Sequence, residues 1–144
     1  MKSILVGVLV GTVLLLMISS CATVPTEPLG QGEVRLLSVD FPERIDIKQK
    51  SRCVVNIEFE ARDNPQITRV YAEWAGAGSH YINKMEVSYE NRLIRVVDVP
   101  TPEKRGSYGF KVYVYYVRDG RIQQTNVVET SVSVTEEKSH KKIR

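Results

Sequence analysis

The chain has 144 residues, enough for one compact domain and too few for two of ordinary size. A hydrophobic fraction of 42% and a charged fraction of 26% are those of a globular protein. The net charge of +3 is too small to point to nucleic acid as a partner, and two cysteines with two histidines leave little material for a disulfide framework or a metal centre.

In chain order, Lys2 supplies a short positive start, and Ile4 to Met17 form a largely apolar run of 14 residues. As a helix this run spans about 21 Å. That is short against a hydrocarbon core of about 30 Å and suits the apolar core of a secretory signal peptide. Ile18-Ser19-Ser20-Cys21 follows at once. The tetrapeptide, a branched apolar residue, two small residues and cysteine, resembles the bacterial lipobox. The resemblance implies cleavage before Cys21, diacylglycerol on its sulfur and acylation of the new amino group. Several acyl chains anchor a protein stably where one is marginal. In lipoproteins of double-membrane bacteria an aspartate after the cysteine favours inner-membrane retention. Ala22 here implies the outer membrane, facing the periplasm or the cell surface, if the source has two membranes. The expected product is a lipid-anchored envelope protein whose membrane contact is made through Cys21. Residues 1–20 carry Lys2 alone among charged groups, so their removal leaves 124 residues with 19 basic and 17 acidic side chains, a net +2. With Cys21 lipidated, Cys53 has no partner within the chain.

Residues 21–32 comprise the cysteine and a flexible tether, with two prolines, two glycines and no apolar period. From residue 33 the pattern is that of strands. Glu33 to Val39 is the first. Arg52 to Glu60 alternates, with Cys53, Val55, Ile57 and Phe59 on one face. Asp63-Asn64-Pro65 is a turn, and Ile67 to Trp74 follows with Val70, Ala72 and Trp74 on one face. Ala75 to Ser79 breaks the pattern. Tyr81 to Val87 reads as one short strand, and Arg92 to Val99 as another, ended by Pro100-Thr101-Pro102. Tyr108 to Val117 is the most strand-prone run. Asp119-Gly120 supplies a tight hairpin turn, and the return strand covers Ile122 to Val134. Residues 136–144 form a basic tail, read as solvated.

About seven strands in residues 33–135, with turns between them and no helical period, predict an all-β sandwich. Gly106-Ser107-Tyr108-Gly109-Phe110-Lys111-Val112 resembles the sixth-strand signature of immunoglobulin-like and fibronectin type III-like domains, with a corner tyrosine followed by alternating core residues. The resemblance implies that Cys53 holds the place of the second-strand core cysteine and Trp74 that of the core tryptophan. Phe110 stands where the partner cysteine would be. An aromatic ring therefore replaces the inter-sheet disulfide, and Cys53, Phe110 and Trp74 are expected together in the core.

No nucleophile–base pair, phosphate loop or dinucleotide fingerprint occurs, and nothing calls for a cofactor or a metal ion. His80 is read as a loop residue, Cys53 as an inert buried thiol, and Asp63, Asn64 and Asp119 as isolated groups. Alternation places Tyr71, Tyr113 and Tyr115 on an outer face that Val127 can join. These residues leave two readings open. Tyrosine is a good strand former that stabilises exposed sheets through cross-strand pairs, and it is also enriched at interfaces. The expected function is non-catalytic: binding or scaffolding toward another component of the cell envelope, with a protein as the expected partner. The alternative is a surface adhesin or carbohydrate-binding domain, which an exposed coplanar aromatic platform would favour.

Overall fold

The computed structural model describes residues 24–42, 45–46 and 52–136. The expected signal peptide over residues 1–20, Cys21, His140 and the tail beyond residue 136 lie outside the described residues. Among the described residues, ten strands form two sheets: β1 (Val34–Asp40), β2 (Ile45–Asp46), β3 (Arg52–Ala61), β4 (Ile67–Trp74), β5 (Gly78–Ile82), β6 (Met85–Ser88), β7 (Leu93–Pro100), β8 (Gly106–Arg118), β9 (Arg121–Gln124) and β10 (Val128–Thr135). One sheet has the order β1-β3-β7-β6. The other has the order β2-β10-β8-β4-β5, with β9 paired to β8. Without the short β2, β5 and β9, this is the arrangement of an immunoglobulin-like sandwich, with strands ABED facing GFC.

The strand count exceeds the expected seven for three local reasons. Ile45-Asp46 adds a two-residue parallel pairing to the end of β10. The return strand is broken at residues 125–127, where the Thr125 hydroxyl accepts from the Val114 amide at 3.0 Å. The single strand expected over Tyr81 to Val87 is two strands. β5 pairs with β4 in one sheet, β6 pairs with β7 in the other, and the chain crosses between sheets at Asn83-Lys84. His80 consequently lies on β5 opposite Ala72, rather than in a loop.

Inward positions follow the alternation of each strand: Val55, Ile57 and Phe59 on β3, Val70, Ala72 and Trp74 on β4, Phe110, Val112 and Val114 on β8. The corner motif is formed. The Tyr108 hydroxyl donates to the Lys104 carbonyl at 2.7 Å, and the Gly106 position leaves room for the ring beside it. Phe110, 1% exposed, packs on Trp74 with ring centroids 4.7 Å apart. Phe41, from the crossing between β1 and β2, meets the same ring edge-on at 4.9 Å. Cys53 is half-buried at the margin of this core. The volume opposite Phe110 is thus supplied partly by a phenylalanine that the strand pattern does not reveal.

Two polar ties cross the sandwich. The Trp74 indole N–H donates to the Pro100 carbonyl at 2.8 Å. The Asn126 side chain accepts from the Leu36 amide and donates to the Leu36 carbonyl, both at 2.9 Å, so it stands in for a strand neighbour of β1. The Asp119-Gly120 turn has positive φ at both residues, 52° and 72°, which is the geometry a two-residue hairpin requires. Before β1, Leu29 to Gly32 are held against the domain: the Gly30 amide donates to the Glu33 carboxylate at 2.7 Å, and Arg62 reaches the Leu29 carbonyl.

Candidate functional site

The outer faces of the two sheets differ in chemistry. On the β1-β3-β7-β6 sheet, outward side chains are charged and paired: Arg35 with Glu60 at 3.0 Å, Ser38 with Glu58 at 3.1 Å, Arg95 with Glu86 at 3.7 Å. Asn56, level with Arg95 on this face, has a buried side-chain oxygen without a hydrogen-bond partner.

The opposite face is aromatic. Register sets Tyr81, Tyr71 and Tyr113 side by side across β5, β4 and β8, with Tyr115 one outward position further along β8. Tyr71 and Tyr113 are stacked, with centroids 4.5 Å apart and planes 19° from parallel. Tyr81 meets Tyr71 edge-on at 5.1 Å, and Tyr115 meets Tyr113 edge-on at 5.4 Å. The Arg69 guanidinium lies 5.6 Å from the centre of the Tyr81 ring. The Tyr71 hydroxyl donates to Glu73 at 2.9 Å, and the Tyr113 and Tyr115 hydroxyls are 3.4 Å apart. The hydrogen bond to Tyr115, with burial and the neighbouring phenols behind it, pushes the Tyr113 phenol above its ordinary range.

The structure brings Tyr71, Tyr113 and Tyr115 together on one face. Val127, one residue before β10 and 38% exposed, falls beside Tyr113 when the β8–β10 register is extended by one residue. Two further members were missed from the sequence. Tyr81, 58% exposed, belongs to the tyrosine row through its pairing with Tyr71. Ile122, 69% exposed, pairs with Val117 and so shares the outward side of β8. A signal for Ile122 existed: a two-residue turn at Asp119-Gly120 fixes Val117 opposite Ile122. Tyr81, Ile122 and Val127 are the exposed large hydrophobic residues among those described, and all three lie on this face.

The arrangement offers ring area, hydroxyls at the rim, and the charged groups Arg69, Glu73, Lys111 and Glu129. At the hairpin tip, Arg118, Asp119, Arg121 and Gln123 line an open depression of about 410 Å³, where opposite charges meet. Among the described residues no cluster of three or more His, Cys, Asp or Glu could hold a metal ion. Burial pushes the Cys53 thiol up to about 12, which leaves it un-ionised and a poor nucleophile. No protein-family model matches the chain, and no curated protein matches it.

Proposed function

We propose that this chain is a lipid-anchored, non-catalytic interaction module of the bacterial cell envelope, and that the tyrosine face is where it engages a protein. The supporting observation is the asymmetry between the two outer faces. One carries paired charged side chains such as Arg35 with Glu60 and Arg95 with Glu86, while the other, beside its Lys111–Glu129 pair, gathers Tyr71, Tyr81, Tyr113, Tyr115, Ile122 and Val127. Soluble domains seldom leave such residues contiguous without a use for them. A carbohydrate platform is less well supported. Tyr71 and Tyr113 spend their shared faces on each other, so the flat surfaces a sugar ring would stack on are partly occupied.

Two measurements test the proposal. Intact mass of the membrane fraction is expected to show a chain that begins at Cys21 and carries acyl mass; a species retaining Met1, or lacking acyl mass, refutes the anchoring. Replacing both Tyr71 and Tyr113 with serine is expected to abolish partner capture from cross-linked membranes. If the folded variant still captures its partner, the tyrosines are structural and binding lies elsewhere, with the turn around Gly76–His80 the next place to test.

A further inference from the structure

On β4 and β8 the tyrosine face carries groups of opposite charge and of unequal size on the two sides of its central row. Tyr81, Tyr71 and Tyr113 form that row. One step toward the β8–β9 hairpin stands Arg69; one step the other way stands Glu73, on the same strand, in register with Lys111 and Glu129, which pair with each other at 3.7 Å. Arg69 lies on the Tyr81 ring and Glu73 accepts a tyrosine hydroxyl, and neither has an ion-pair partner among the described residues. Two steps toward the hairpin, Val117 and Ile122 stand out from the sheet. Two steps the other way are Gly109 and Ser131, paired with each other, where the surface is lowest.

We propose that the partner is a second copy of this chain, docked face to face about a twofold axis that runs across the strands along the tyrosine row. Such an axis reverses the strand direction and keeps the strand order. It lays Arg69 over Glu73 of the partner subunit, and Glu73 over Arg69 of the partner subunit. It sets Val117 and Ile122 above Gly109 and Ser131 of the partner subunit. A twofold contact requires this self-complementarity, in which residue i meets residue j and j meets i. Two sheets can pack this way with strands about 30° apart and side chains interdigitated. The inference rests on the reading of this face as a protein interface, and it names the protein.

The test is sedimentation equilibrium of the full acylated chain in density-matched detergent. The native chain is expected to dimerise. Arg69→Glu alone and Glu73→Arg alone each set like charges against each other twice, and each is expected to weaken the dimer at least about tenfold. Mixing the two single variants restores both attractive pairs, so a mixed dimer is expected to form. The double variant R69E/E73R is expected to dimerise like the native chain. Emission of Trp74 reports folding of each variant, and the double variant carries the test if one single variant fails to fold. A monomer at every concentration, or a dimer indifferent to these exchanges, overturns the proposal. If the chain is monomeric while the Tyr71/Tyr113 serine variant still loses a different cross-linked protein, the interface stands and the second copy falls. If neither is seen, both fall.

Discussion

Phe110→Ala probes the central feature of the core, an aromatic ring where related sandwiches place half of a disulfide. Phe110 is 1% exposed and touches Trp74 and Phe41 at centroid distances of 4.7 and 4.9 Å. Buried aromatic side chains cover about 150–250 Å², and each well-formed ring pair adds about 0.5–1.5 kcal/mol beyond area. Truncations of this kind cost about 3–5 kcal/mol. Two ring pairs disappear together here, so the expected loss is about 4 kcal/mol, a large part of the roughly 5–15 kcal/mol available to a small domain. The melting temperature should fall by roughly 15–25 °C on the scale expected for a domain of about 100 residues. The assay is urea unfolding followed by emission of the single tryptophan, Trp74, which is 1% exposed in the fold and moves to water on unfolding. Lys111→Ala, on the outward side of the same strand, serves as the control and should stay within about 1 kcal/mol, because its 3.7 Å pair with Glu129 is exposed. A loss below about 1 kcal/mol for Phe110→Ala would refute the assignment of this ring to the inter-sheet core.

Other expectations follow from single contacts. Tyr108→Phe removes only the hydroxyl that reaches Lys104 and should cost about 1 kcal/mol in the same unfolding assay. Asn126→Ala leaves the Leu36 amide and carbonyl without their side-chain partner, and Leu36 is fully buried, so a loss of about 2–3 kcal/mol is expected. With its thiol held near 12 rather than at the ordinary 9.0, Cys53 should react with iodoacetamide at pH 8 about a thousandfold more slowly in the fold than after denaturation. The same shift destabilises at high pH. The thiol loses its proton more readily in the unfolded chain, so stability is intact below about pH 9 and declines as pH rises from 9 toward 12, and Cys53→Ala should flatten that decline in pH-dependent melts.

The sandwich was legible because its long strands carry two kinds of local signal. β3, β4 and β8 alternate so regularly that their inward residues can be named from the sequence, and Tyr108 and Asp119-Gly120 mark a corner and a turn whose geometry the structure shows. The short strands carry neither signal. Ile45-Asp46 is a strand only because β10 lies beside it, and Gly78-Ser79-His80-Tyr81-Ile82 has no clear alternation, its register coming from β4. That is why Tyr81 was missing from the candidate face. Tyr71, Tyr113 and Tyr115 could be placed on one side because their strands alternate, but the stack between Tyr71 and Tyr113 depends on a cross-strand register that only the fold supplies. Phe41 was hidden for the same reason: it lies outside any strand and reaches the core from a crossing.

The proposal places the contact with another protein at the membrane on the tyrosine face, and not on the outer face of the β1-β3-β7-β6 sheet. A photo-crosslinking residue placed at Val127, beside the tyrosine row, and separately at Ser38, on the opposite sheet, tests it in intact cells of the source organism. A discrete higher-mass adduct is expected from position 127 and none from position 38. An adduct from position 38 alone, or none from position 127 in a correctly anchored chain, would contradict it.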